Sequence, residues 1–447
     1  MRNATLAGED LAAVLIERLY IIALFSWLAA VPCLPLLAEP GAVKQGAKYL
    51  GTGSCSSSNC HGSAHPLKGS DVLQNEYYTW TKHDQHSRAY SNLISPDARR
   101  MTSLLGLSAP NKEPLCLSCH TTYVPEQSRR GERFQIEDGV SCESCHGAAE
   151  KWLESHAVTG ATHKENLAHG LTDIAQLSQR ATLCLSCHYG DEEKRVTHDL
   201  YGAGHPRLSF ELDTFGILQP RHWVVDQDYI KRKSQYVPLL AWFAGQSTHA
   251  QSLIKMLQSQ ARTMDGALPE LALFDCFSCH HSLAEQQWKH QTYGGKPGQL
   301  QINLAPLLML QWSLKALDPK LAATLGEQVA ILHASYGTAA SQEALIQLTE
   351  LLTKQVQPLI LSAPVDYQLC KGVLQQLSLF AVTTPFPKYE VAEQIGMGIQ
   401  ATLASSSQLA KEYKSELDKL FKTLSQPTNF KSERFTAAAT KLQRSIR

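Results

Sequence analysis

The chain has 447 residues, 43% hydrophobic and 18% charged, with 27 Gly and 20 Pro. That length suits about three domains of ordinary size, and the composition is neither disordered nor collagen-like. Lys+Arg 41 balances Asp+Glu 41, and without net charge or a basic block nucleic acid is excluded as a partner.

The first feature along the chain is an uncharged run from Leu19 to Ala38, preceded by Arg18 and followed by Glu39. It predicts a signal peptide over residues 1–38, removed near Ala38 together with Cys33, and hence a periplasmic or otherwise exported protein. The segment before it is long for this role and carries Glu9, Asp10 and Glu17. An uncleaved run of twenty residues would instead tie the chain to a membrane, although Pro32 and Pro35 make it a poor spanning helix.

Twelve cysteines follow an unusual plan. Four copies of C-x-x-C-H occur: Cys116-Leu-Ser-Cys119-His120, Cys142-Glu-Ser-Cys145-His146, Cys184-Leu-Ser-Cys187-His188 and Cys276-Phe-Ser-Cys279-His280. A looser fifth copy, Cys55-Ser-Ser-Ser-Asn-Cys60-His61, has four residues between its cysteines. One such motif could arise by chance or serve zinc; this set is the attachment signature of c-type haem. Positions i, i+3 and i+4 share one helical face. Two thiols there can form thioethers to one porphyrin while the adjacent histidine ligates its iron from the same side. The reading is five covalent haems, with His61, His120, His146, His188 and His280 as proximal ligands. In the first motif two extra residues must bulge out.

Residues 39–290 hold every motif, 252 residues for five haems or about 50 each. That is too little protein to insulate the haems from one another, so they pack closely and supply much of the apolar core. Strand signals are scarce. The expected fold is therefore mainly α, a loop-rich helical scaffold around closely packed haems. Gly294, Gly295, Pro297 and Gly298 mark a linker, and residues 300–447 read as a helical domain without haem. Leu345, Leu348, Leu352 and Val356 keep one helical face, as do Leu409, Tyr413, Leu417, Leu420, Phe421 and Leu424. These helices pack on the haem domain or form a complex with a partner. The lone Cys370 reads as a small buried hydrophobe.

Five of the 18 histidines lie in motifs, leaving 13 to fill or leave open the sixth iron positions. His83 and His86 follow Trp80 on an expected helix, His156 comes ten residues after His146, and His163 and His169 sit in a polar stretch. His198 and His205 bracket a Gly-rich turn, where backbone can approach a porphyrin closely. His222, His249, His290 and His333 lack a constraining turn or lie in the haem-free tail, and read as ordinary histidines.

The segment Gly139-Val-Ser-Cys142-Glu-Ser-Cys145-His146-Gly147, with Trp152 and His156 beyond it, resembles the cytochrome c-554 family of multihaem cytochromes. So do His86-Ser-Arg-Ala, Gly204-His205-Pro-Arg-Leu-Ser-Phe-Glu211 and Phe274-Asp-Cys276-Phe-Ser-Cys279-His280-His281. The resemblance spans roughly residues 48–290. It implies a mostly helical fold with haems stacked in close pairs, and electron transfer with other redox proteins as donor and acceptor. It also implies His86, His156 and His205 as distal iron ligands, with His163 and His198 as further candidates. The fifth haem, the expanded first motif and the tail depart from the tetrahaem namesake, in which one iron lacks a sixth ligand. Electron transfer through mostly bis-histidine haems is thus the expected function. The alternative is an oxidoreductase acting on nitrite, hydroxylamine, nitric oxide or peroxide at one five-coordinate haem.

Overall fold

A computed structural model of the chain describes residues 46–446, apart from 70–71, 234–235, 264–268, 277–278, 281–299 and 385–387. The expected signal segment 1–38 and the linker at 294–298 lie outside the described residues, as do His281 and His290. Helices and turns dominate, with two isolated bridges and no strand among the described residues. The fold is mainly α, as the sequence predicts.

The first half consists of short helices with well-marked ends. Helix α1 is Glu76–His83, and α2, Pro96–Leu104, starts on Ser95, whose hydroxyl accepts from Ala98 N–H, with Pro96 in the first turn. The second motif forms α3, Pro114–His120, and the third forms α4, Cys142–His146. Helix α5, His163–Ala168, opens with a reciprocal Thr162–Glu165 capping box. The fourth motif closes α6, Leu177–His188. Helix α7, His198–Ala203, is capped by Thr197 and ends on Gly204 at φ 112°, which an L side chain would strain. Helix α8, Leu212–Leu218, is capped by the Glu211 carboxylate, which accepts from Asp213 and Thr214 N–H.

Longer helices make up the second half: α9 Pro238–Thr263, α10 Ala305–Leu314, α11 Pro319–Ser335, α12 Ala339–Leu351, α13 Tyr367–Thr383, α14 Tyr389–Ala404, α15 Ser407–Lys422 and α16 Ser432–Ser445. They share one large apolar core. Leu345, Leu348, Leu352 and Val356 are all fully buried. A single π-turn over Leu352–Val356 follows α12, just before Pro358, whose missing N–H a regular helix would have needed. On α15, Leu409, Tyr413 and Leu420 are buried while Lys411, Lys414 and Lys422 are exposed. Cys370 is buried among apolar neighbours.

This core starts well before residue 300. Leu239, Trp242, Phe243, Leu253, Ile254 and Leu257 of α9 belong to it. The opposite side of α9 packs Ala241 and Ala244 against Ala181 and Leu185 of α6. Helix α9 therefore serves both halves, and Val43–Arg447 form one compact unit. The reason is periodicity: a 26-residue helix that is apolar on more than one side has two faces to bury.

Two predictions follow from this packing. A Cβ on Gly398 would lie 2.6 Å from Cζ2 of Trp242, so Gly398→Ala should destabilise the bundle by about 1–3 kcal/mol through overpacking, read as a lower denaturant midpoint. Burial pushes the Glu211 carboxyl up to about 7, so its neutral form is the one the fold favours. Its contribution is complete below about pH 4.5 and is lost as pH rises through about 7, by roughly 3 kcal/mol. Glu211→Gln should gain stability relative to the parent between pH 5 and pH 8.

Candidate functional site

Each motif histidine faces a second histidine across a gap of nearly constant width. The ring centres of His61 and His156 are 6.1 Å apart, those of His188 and His86 6.0 Å, and those of His120 and His205 6.4 Å. His146 and His222 are 6.3 Å apart, and His280 and His198 6.2 Å. A metal–nitrogen bond of about 2 Å on each side, plus about 1.1 Å from that nitrogen to its ring centre, puts two axial imidazoles about 6 Å apart. The gap is too wide for ring contact and fits one iron between the rings.

Hydrogen bonds turn several of these rings so that Nε2 is left for the metal. His120 Nδ1 donates to Ala89 O at 3.0 Å and His205 Nδ1 to Pro206 O at 2.8 Å. His156 Nδ1 bonds Leu153 O, and the ring stands edge-on to Trp152. His61 Nδ1 lies 2.9 Å from Glu76 Oε2, and His86 Nδ1 lies 2.9 Å from Asp84 Oδ1. Burial acts to raise both carboxyls, but the bonds from the histidines and from backbone N–H groups more than offset it and leave them below their ordinary values. Burial also pulls His146 and His188 down to about 4, which keeps each imidazole neutral, the form that ligates. His188 is held between Phe210 and Phe215.

In the expanded motif the extra residues loop out as expected. His61 N–H reaches back to Cys55 O, while Cys60 and Gly62 N–H both bond Ser57 O. A Cβ on Gly62 would come within 1.8 Å of Ser56 O, so the turn requires glycine. Gly139, at φ 70°, meets the same constraint against His86 O and lets the lead-in to the third motif run beside the His86 turn.

The structure differs from the sequence expectation at two histidines. His222, read as an ordinary residue, faces His146 and packs edge-on to Trp223. His163, a distal candidate, instead turns Nε2 to Asp173 Oδ1 at 3.2 Å. A local signal for His222 was slight: Pro220 lies two residues before it, in Pro220-Arg-His222. Of the remaining histidines, His249 packs edge-on against Tyr189 and His333 lies inside the bundle core.

Glu143, inside the third motif, was not marked by the sequence. It is 3% exposed and accepts N–H bonds from Leu50 at 2.9 Å, Gly51 at 2.7 Å and Ala149 at 2.8 Å. It thereby ties the segment leading to Cys55 onto the third motif, where Cys55 and Cys142 side chains meet. Cys119 and Cys187 meet in the same way, with Lys194 Nζ 3.3 Å from Cys187 Sγ.

Among the described residues no three His, Cys, Asp or Glu side chains are grouped as they would be around a bare metal ion. Paired cysteines on one helical face beside a histidine gap of this width fit c-type haem. The fold and these sites define a cytochrome of the c type. Residues 54–147, which include the first three motifs, match the family described as Cytochrome c554 and c-prime, and the chain is a relative of that family. No curated protein and no solved structure matches the chain. The family carries covalent haem and a redox function with redox proteins as partners.

Because Glu143→Ala leaves three backbone N–H groups without their acceptor, it should destabilise the first and third sites together by about 2–4 kcal/mol. A lower denaturant midpoint and haem loss confined to those two sites are the expected readouts.

Proposed function

We propose that this protein is an exported pentahaem c-type cytochrome that carries electrons between two redox proteins. The observation that carries the reading is that all five motif histidines are met by a second histidine at 6.0–6.4 Å. The thioether pairs would be Cys55 and Cys60, Cys116 and Cys119, Cys142 and Cys145, Cys184 and Cys187, and Cys276 and Cys279. His61, His120, His146, His188 and His280 would ligate from one face. His156, His205, His222, His86 and His198 would ligate from the other, in the same order. Bound haem supplies a one-electron redox centre at each site. With every proximal histidine faced, no iron is left open, and catalysis at a five-coordinate haem has no site among these five.

The protein's own part is to hold the five sites in one row. The first site touches the third through Cys55 and Cys142. Cys145 of the third lies near Cys184 and Cys187 of the fourth. The fourth touches the second through Cys187 and Cys119. Helix α7 and its following turn then carry His198 of the fifth site and His205 of the second only seven residues apart. At the two ends of this row Cys60, Cys276 and Cys279 are exposed, whereas the other motif cysteines are partly buried. The first and fifth sites are thus suited as the ports for donor and acceptor. Export rests on the Leu19–Ala38 run together with the attachment motifs, whose haem is added outside the bacterial cytoplasm.

The test is electron paramagnetic resonance of the oxidised holoprotein with haem content measured alongside. The expected result is five haems per chain and only low-spin ferric signals; a stoichiometric high-spin signal overturns bis-histidine ligation throughout. His222→Ala should convert one haem per chain to high spin, while His163→Ala should leave the spectrum unchanged.

A further inference from the structure

Among the described residues, the paired histidines differ in the charge of what their Nδ1 touches. Both histidines of the second site, His120 and His205, donate to neutral backbone carbonyls. At the first site His61 donates to the Glu76 carboxylate, and at the fourth site His86 donates to the Asp84 carboxylate, each at 2.9 Å. Neither carboxylate is a loosely held surface group. Glu76 Oε1 accepts from Gln74 N–H at 3.2 Å. Asp84, whose side chain is 4% exposed, takes His86 N–H on Oδ1 at 3.0 Å and Gln219 Nε2 on Oδ2 at 3.2 Å.

An imidazole that donates its N–H to a carboxylate gains electron density on its other nitrogen and becomes a stronger donor to a metal. A stronger donor favours the ferric over the ferrous state and so lowers the reduction potential. A carbonyl partner does this far less, because it bears only a partial charge. We propose that Glu76 and Asp84 are positioning residues that set reduction potential, holding the first and fourth sites below the second. This rests on the ligation proposed above. Three hydrogen bonds from His86 and Gln219 hold one Asp84 oxygen on the ring nitrogen. Gln219 leads directly into the Pro220–His222 segment of the third site, so the same contact also fastens the fourth site to the third.

The experiment is a redox titration of the holoprotein, followed optically and by paramagnetic resonance, on the parent, Glu76→Gln and Asp84→Asn. Both substitutions keep a hydrogen-bond acceptor and remove the charge. Each should raise the reduction equilibrium constant of one haem about tenfold, which is about 59 mV for a one-electron couple. The two variants should move different haems, each with a change in one low-spin g-tensor and the remaining four haems unmoved. Glu76→Asp, which restores the charge, should return most of the shift. Gln219→Leu removes a donor from Asp84 Oδ2, leaves more charge for His86, and should move the same haem as Asp84→Asn in the opposite direction. It also keeps the proposal testable should Asp84→Asn fail to fold. Potentials and g-values that stay put in these variants, or that shift together in all five haems, overturn the proposal. A high-spin signal or fewer than five haems in the parent overturns the ligation instead.

Discussion

The constraint on which the structure depends is a distance: two imidazoles must face each other about 6 Å apart, five times, within one chain of modest size. A pair of side chains held that far apart gains almost nothing from direct contact. Each gap must therefore be held open by the backbone that carries its two histidines. This explains the character of the first half of the fold. Its helices are short because each has only to present a cysteine pair and a histidine, or to turn a second histidine back toward one. It also explains the sharp turns at Gly62, Gly139 and Gly204, where a Cβ would collide or φ is positive.

The polar groups around the gaps complete that arrangement. Backbone carbonyls of Ala89, Leu153 and Pro206 and the carboxylates of Glu76 and Asp84 point one ring nitrogen outward, so the other points inward. Glu143 does for backbone what these groups do for rings: its two oxygens take three N–H groups of segments that would otherwise have no regular partner. These contacts join residues distant in sequence, so the sites are coupled mechanically.

The second half follows a different physical rule. Its helices hold one another by a continuous apolar core that includes Trp242, Phe243, Leu377, Phe380 and Phe435. Helix α9 joins the two regimes by burying one side in that core and another against α6, the helix of the fourth motif. Arg207, two residues past His205, reaches Glu393 of α14 at 2.9 Å, and Lys388 reaches Asp275 beside Cys276 at 2.8 Å. The bundle thus braces both the turn that carries His205 and the entry to the fifth motif, giving the loop-rich half a rigid wall.

The cysteine–histidine motifs were legible in the sequence because their spacing is local, and in the second, third and fourth a single helical turn carries it. The mainly α class and the buried stripes Leu345–Val356 and Leu409–Leu424 were legible for the same reason, since helical periodicity repeats every few residues. His156 and His205 could be singled out from local turns and resemblance, but it was not legible that His222 faces His146 while His163 turns to Asp173. What separates that pair is whether a residue more than seventy positions from His146 folds back to face it, and nothing within a few residues of either histidine encodes the answer. The order of the sites, the role of Glu143 and the start of the bundle at α9 are likewise products of contacts between distant segments. Tertiary structure decided them because a 6 Å gap between two rings is a relation between two pieces of backbone, and only the folded chain sets both.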